Sequence, residues 1–208
     1  MPIANRFEVG RCRPIEHTDG MTFDLITGHL EIRTMSASEV DRADEITHLI
    51  NRAYALAQTE IFVAPAQRIA KLDAVNLIAN NEIVVVEHEG AAIGVVRVCP
   101  LDETSWFFGL LAVAPEWASR GVGRALLDAI ERQATRAGVA TMELDLLVPE
   151  PGTSHQARLQ HWYESRGYIA TSSRLFADVE PEVAHDLRFS TQLVRYVKSL
   201  AGRSSKRV

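Results

Sequence analysis

The chain has 208 residues, 47% of them hydrophobic and 24% charged, and a formal net charge of -5 at pH 7. That length and apolar content suit a single domain, and an acidic balance whose basic cluster is confined to the terminal GRSSKRV argues against a nucleic-acid surface. No run nears the ~18 apolar residues of a membrane span and no apolar signal core opens the chain; Cys12 and Cys99 show neither metal-ligand nor disulfide spacing, so a cytoplasmic protein without a metal is expected.

Residues 1–28 lack sustained periodicity and read as an irregular lead-in, with the domain expected over 29–200 and a frayed basic tail over 201–208. HLEIRTM, from His29, alternates as a strand does. Val40, Ala43, Ile46, Ile50 and Ala53 then recur at helical spacing behind Ser36 or Ser38 as N-cap. A second helix is expected from Pro65 to about Asn80. The period changes to two in EIVVVEHEGAAIGVVRVCP, which reads as a hairpin turning at Gly90. TSWFFGLLAVAP is a further strand, apolar enough to be buried on both faces and ended by Pro115.

WASRGVGRALLDAI comes next, opening a helix whose Val122, Ala125, Leu126, Ala129, Ile130, Ala134 and Ala137 share one face, with Gly138 beyond its end. Strand VATMELDLLV, helix SHQARLQHWYESRGY and strands near 168–176 and 190–199 complete the chain. The strand–helix–strand unit spanning 106–148 implies one right-handed parallel crossover in an otherwise mostly antiparallel sheet, so the expected class is α/β with a mixed sheet flanked by helices.

Gly121 and Gly123 at a helix mouth form a turn without Cβ atoms, in which backbone N–H groups and the helix dipole can hold an anion, with Arg120 and Arg124 adjacent. A dinucleotide, a coenzyme A pyrophosphate and plain close packing are the three readings. A dinucleotide site wants a third glycine where Leu126 stands, although Glu143 meets its demand for a downstream acid.

LLAVAPEWASRGVGRALLDAIERQATRAGV together with WYESRGY resembles the GCN5-related N-acetyltransferase (GNAT) superfamily over roughly residues 30–200. The resemblance departs from the family pattern at Ala118, where the motif's opening Gln or Arg would stand. It implies acetyl-CoA as acyl donor, with the backbone of Leu111, Ala112 and Val113 pairing with the pantetheine arm. Ser119, Arg120, Gly121, Val122, Gly123, Arg124 and Ala125 would surround the pyrophosphate. It also implies transfer of the acetyl group to a primary amine of a small molecule or exposed peptide by direct attack, with Tyr163 as proton donor to the leaving thiolate.

The base is open. The strand before the turn, where many family members carry a Glu, has no ionisable group between Trp106 and Val113. Glu60, Glu143 and Asp145 are candidates, as is a water chain; His155 and His161 read as cap and surface residues. Glu60, Arg68 and Trp106 are the expected acceptor-pocket residues, and the nearby acids lean towards a cationic amine. The missing acid keeps a second reading alive, a non-catalytic acetyl-CoA sensor. No nucleic-acid or membrane partner is expected, and a homodimer is compatible with the sequence.

Overall fold

The computed structural model describes residues 21–24, 29–63 and 67–200. Its eight strands are β1 (Met21–Asp24), β2 (His29–Thr34), β3 (Ile83–His88), β4 (Ala91–Pro100), β5 (Ser105–Val113), β6 (Thr141–Glu150), β7 (Ile169–Leu175) and β8 (Ser190–Ser199). They form one mixed sheet in the order β1-β2-β3-β4-β5-β6-β8-β7. Every pairing is antiparallel except β5 with β6. The helices are α1 (Ala43–Gln58), α2 (Lys71–Ala79), α3 (Val122–Arg136), α4 (Ser154–Ser165), and the short α5 (Phe176–Val179) and α6 (Pro181–Ala184).

Helices cover both faces of the sheet because its central strands are apolar on both sides. On one face α1 and α2 bury Ile46, Ile50, Leu77 and Ile78 against Val85, Val95 and Leu110. On the other, α3 buries Val122, Leu126 and Ile130, together with Tyr163 of α4, against Val84, Val96 and Phe108. A third cluster joins Ile61 and Phe62, just past α1, to Phe176, Val183 and Leu193.

A bulge sets the course of β5. Val95 pairs with Ala112 and Arg97 with Gly109, so two β5 residues, Leu110 and Leu111, oppose Val96 alone. Leu110 takes a left-handed conformation, φ 50°, while its side chain is buried. β5 pairs in parallel with β6 only over Ser105–Phe107 against Thr141–Glu143, and the bulge follows three residues after the last of these pairs.

Several expectations are corrected. Met21–Asp24, read as part of an irregular lead-in, pair with β2; residues 1–20 and 201–208 lie outside the described residues. The second helix starts at Lys71, where the Asp73 carboxylate accepts the Ala70 N–H at 3.1 Å, and Pro65 also lies outside the described residues. Phe176, read as the end of a strand, opens α5, and α5 and α6 fill the stretch before β8 for which no element was expected. Cys99 on β4 is not a free thiol, which removes the cysteine argument for a reducing compartment.

Gly94 on β4 lies tight under α3: a Cβ there would lie 2.8 Å from Val122 Cγ1 and 3.2 Å from Leu126 Cδ1. Gly94→Val should therefore overpack this contact and lower the unfolding free energy by about 1–3 kcal/mol. Urea unfolding checks the loss; an unchanged midpoint would mean α3 can move away freely.

Candidate active site

Where β5 and β6 separate, a cavity of about 610 Å³ opens between them. It runs from the α3 turn, through Leu111, Ala112 and Val113, to Leu144–Leu147 on β6, and is closed by residues of α1 and α4. Past residue 107 the β6-facing edge of β5 has no strand partner, so its backbone N–H and C=O groups there are available to an extended ligand.

At one end the turn is built as the sequence suggests. Gly121 is the N-cap of α3 in the left-handed region, φ 85°, and no side chain caps the helix. The first intrahelical bond runs from the Ala125 N–H to the Gly121 carbonyl at 2.9 Å, which leaves the N–H groups of the preceding turn without helical partners. Gly123 is different from Gly121. Its φ is not positive, and a Cβ there would meet only Val113 Cγ2 at 3.6 Å. Nothing in the fold requires glycine at 123, and the space its Cβ would take belongs to the cavity, as an anion approaching the helix end needs. Arg124 lines the cavity, whereas Arg120 lies over the Trp117 ring with its guanidinium carbon 5.2 Å from the centroid and is not in the lining. Ala125 is buried in the helix face.

Deeper in, Tyr163 reaches the cavity from α4, 6% exposed, in a cage of Phe108, Trp162 and Tyr168 with ring centroids 6.1, 4.8 and 5.8 Å away. Burial pushes its phenol far above the ordinary tyrosine range, and Tyr54 nearby adds to the effect. The group is held protonated, the state a proton donor requires.

Of the acids candidate by sequence, Glu143 and Asp145 are engaged elsewhere. Arg195 of β8 holds Asp145 through Nε at 2.5 Å and Nη2 at 2.9 Å, and Glu143 through Nη1 at 2.6 Å. Both carboxylates thus have oxygens taken up by the guanidinium of Arg195. Asp145 lines the cavity and Glu143 does not; Trp106 is buried in the core beneath α3. Glu60 is exposed just after α1, close enough for its charge to act on His155.

His155 enters the lining from the first turn of α4, against its reading as a cap residue, while His161 stays on the surface. Desolvation first, then the charge of Arg158, lower its pKa below the usual imidazole value; Glu60 opposes them. A neutral imidazole is a proton acceptor at neutral pH.

Three further lining residues went unread. Tyr54 and Gln58 are four apart on α1 and share a face, and Gln156 follows His155 on α4. Gln58 is only 4% exposed, yet neither its amide nitrogen nor its oxygen has a partner among the described residues. Their signal was available: polar side chains on a helix face otherwise apolar. Arg68 does line the cavity, its guanidinium carbon 4.9 Å from the Tyr54 ring centroid. Asn51 fixes it there, its Oδ1 accepting the N–H groups of Arg68 and Ile69 at 2.8 and 3.1 Å and its Nδ2 donating to the Ile69 carbonyl.

Residues 79–170 match the family described as Acetyltransferase (GNAT) domain. None of the curated proteins matches the chain by sequence. Among solved structures, PaiA N-acetyltransferase from Thermoplasma acidophilum in complex with coenzyme A superposes with a TM-score of 0.62 at 12% identity, over 82% of this chain and 98% of that one. The GNAT domain of S. lividans PAT gives 0.61 at 16% identity, over 86% and 96%. An aminoglycoside 6'-N-acetyltransferase complexed with coenzyme A gives 0.60 at 15%, over 83% and 98%. At such identities the likeness is one of fold.

The His155 environment can be tested without any ligand. Its imidazole should titrate by NMR with a midpoint below ~6.5, the unperturbed value, and Arg158→Ala should raise that midpoint by removing a neighbouring cation. A midpoint at or above the unperturbed value would show that His155 is solvated and unsuited to accept a proton in this site.

Proposed function

We propose, from the match of residues 79–170 to the GNAT domain family and the fold shared with such proteins, that the chain is a GCN5-related N-acetyltransferase that transfers the acetyl group of acetyl-CoA to a primary amine by direct attack. One observation carries this reading: a single cavity joins the uncapped α3 turn, the open edge of β5 and the protonated Tyr163. The family and the coenzyme-bound neighbours support the donor; the roles of individual residues are our own assignment.

Acetyl-CoA supplies an acyl group activated as a thioester. The N–H groups around Gly121–Arg124 hold its pyrophosphate, with the Arg124 side chain adding charge, and the edge of β5 at Leu111 and Val113 pairs with the pantetheine amides. Held in this way the thioester carbonyl is presented to an amine entering from the α1 side, and positioning supplies much of the rate.

His155, directly or through a water, takes the proton that the attacking nitrogen must lose. Tyr163 gives its proton to the departing thiolate as the C–S bond breaks, and because the apolar cage disfavours a phenolate it regains a proton from the His155 imidazolium, directly or through water. Glu60 sits behind His155 and favours the imidazolium formed in the step. A second reading, a sensor that binds acetyl-CoA without turnover, is favoured by the engagement of Glu143 and Asp145 with Arg195. Release of free thiol from acetyl-CoA, dependent on an added amine, separates the two.

Gly123→Val fills the space at the turn with a side chain whose Cβ makes only an ordinary contact with Val113, so coenzyme A binding should be lost with thermal stability kept. Arg124→Ala should weaken binding by about 1–2 kcal/mol, as for a solvated charge-assisted contact, and Arg120→Ala by less, its guanidinium being stacked on Trp117. Isothermal calorimetry checks all three; equal losses for the two arginines would contradict the geometry.

Tyr163→Phe should lower kcat and kcat/KM together by about 10–1000-fold, with coenzyme affinity unchanged, since the proton is given only in the transition state. The pH dependence comes from the two shifts. His155 must be neutral, so activity falls with decreasing pH only below its lowered pKa; Tyr163 must be protonated, and its raised pKa leaves no basic limb below ~10, the ordinary phenol value. Near-normal kcat in Tyr163→Phe at saturating acetyl-CoA would leave water as the proton donor.

A further inference from the structure

Two buried amides in the cavity take no part in binding the coenzyme or in moving protons. Gln58 of α1 is 4% exposed, and neither its Nε2 nor its Oε1 has a partner among the described residues. Gln156 of α4 is 5% exposed, and its Oε1 is likewise unpartnered. A buried polar atom without a hydrogen bond forfeits its solvation, so two such side chains in one lining are matched to a ligand that supplies the missing bonds. Between them they call for one acceptor, at the Gln58 Nε2, and two donors, one at each Oε1.

That requirement separates the groups that can stand beside the acceptor amine. A further ammonium only donates; it answers the oxygens and leaves the Gln58 Nε2 unpaired. A carboxylate only accepts, and would bring its oxygens against both Oε1 atoms. An uncharged amide offers a donor and an acceptor at once. In a trans amide these lie on opposite edges of one plane, and the two glutamines also come from opposite sides, α1 covering one face of the sheet and α4 packing on the other. Glu60, exposed just past α1, is placed to draw in the acceptor's own amine as an ammonium; of the three candidate acids it is the one that Arg195 does not hold.

The base makes a matching demand. His155 is less basic than an ordinary imidazole and takes a proton most readily from a weakly basic amine. An amine beside a peptide carbonyl loses its proton near about 8, against about 10.4 for a lysine-type amine. A hydroxyl in place of the amide would both give and accept a hydrogen bond but lacks that carbonyl. The cavity, about 610 Å³ in all, must also take the pantetheine arm, which leaves room for a small group.

We propose that Gln58 and Gln156 are specificity-determining residues that read an uncharged amide next to the acceptor amine, the Gln58 Nε2 donating to its carbonyl, one glutamine Oε1 accepting its N–H and the other facing the amine. The acceptor is then an α-amino amide, free or as the first residue of a peptide. The inference rests on the acetyl-transfer reading only in taking this cavity as the acceptor's place.

The test keeps one side chain and changes the group beside the amine: leucinamide, leucine, leucinol and isopentylamine, together with glycinamide, glutaminamide, spermidine and the amide of a leucine-led tripeptide. Each is titrated calorimetrically into the protein with and without coenzyme A, and each is assayed with acetyl-CoA for thiol release. Leucinamide should bind the coenzyme-loaded protein at least about tenfold more tightly than leucine, leucinol or isopentylamine, because a buried polar site rejects a ligand that leaves it unpaired. Gln58→Leu, apolar and close in size, should erase that preference while coenzyme A affinity holds within about twofold. Its Tm should not fall, since the fold loses no hydrogen bond with the amide. Gln156→Met, on a different helix, should reduce the preference independently. Tighter binding of the tripeptide amide than of leucinamide assigns the peptide source, and equal or weaker binding the free amide; both support the proposal.

The same preference without thiol release would defeat the acetyl-transfer reading and leave the amide site standing. Thiol release with leucinol, isopentylamine or spermidine as good as with leucinamide, or leucine bound as tightly, would overturn the amide site and leave the transfer reading standing. A loss of coenzyme A affinity in Gln58→Leu as large as the loss of leucinamide would overturn it too, by giving the glutamine to the pantetheine arm. Failure of every amide to bind in both states would do the same.

Discussion

The bulge that sets Leu110 and Leu111 against Val96 is the constraint on which the site depends. The β5–β6 pairing stops at Phe107, and where an ordinary antiparallel register would keep β5 straight, the bend turns its end aside beside the cavity. A leucine at positive φ carries strain of about 1–3 kcal/mol, and the surrounding core holds it: the Leu110 side chain is locked under α1 and α2 while Leu111 packs towards α3. The bend thus changes which face each β5 residue serves. It also aims the end of β5 at the turn that opens α3.

With the strands apart, the remaining design is a matter of where charge is permitted. The carboxylates of β6 are neutralised by Arg195, and Arg97 in the lining is paired with Glu82 at 2.7 Å in the interior. The uncommitted polar equipment is mild: a depressed imidazole, a phenol that keeps its proton and two amides. Such groups suit a low-dielectric pocket, because each does its work while neutral and none demands a counter-ion before substrate arrives. The strong cation at the other end, Arg124, stands in solvent beside the turn, where a phosphate can meet it without desolvating it first.

The sequence announced the parts governed by local rules. The β3–β4 hairpin, the apolar face of α3 and the Gly121 turn come from period and from backbone freedom, and each stands where expected. Tyr163 was legible only through the family motif, since its neighbours in the aromatic cage come from β5, α4 and the start of β7. What escaped was non-local. The bulge has no glycine at Leu110 to betray it, and the β6–β8 pairing that brings Arg195 to Glu143 and Asp145 joins residues about fifty positions apart. Pro65 suggested an early start for α2, but the Asn51 amide holds residues 68–69 as an extended connection first. Gln58 went unread and His155 read as a cap residue because nothing local says that α1 and α4 converge on one cavity.

The strand order has a bearing on synthesis. Strand β8, made last among the strands, lies between β6 and β7, so the earlier strands cannot complete the sheet by themselves. Until residues 190–199 leave the ribosome, Glu143 and Asp145 lack Arg195, and Leu193 is missing from the third cluster. The α3 turn, complete some seventy residues earlier, belongs to a half that can assemble first. The α3 turn and the ion pairs of β6 therefore mature at different times on a growing chain, and a nascent chain stopped before β8 would have the first without the second.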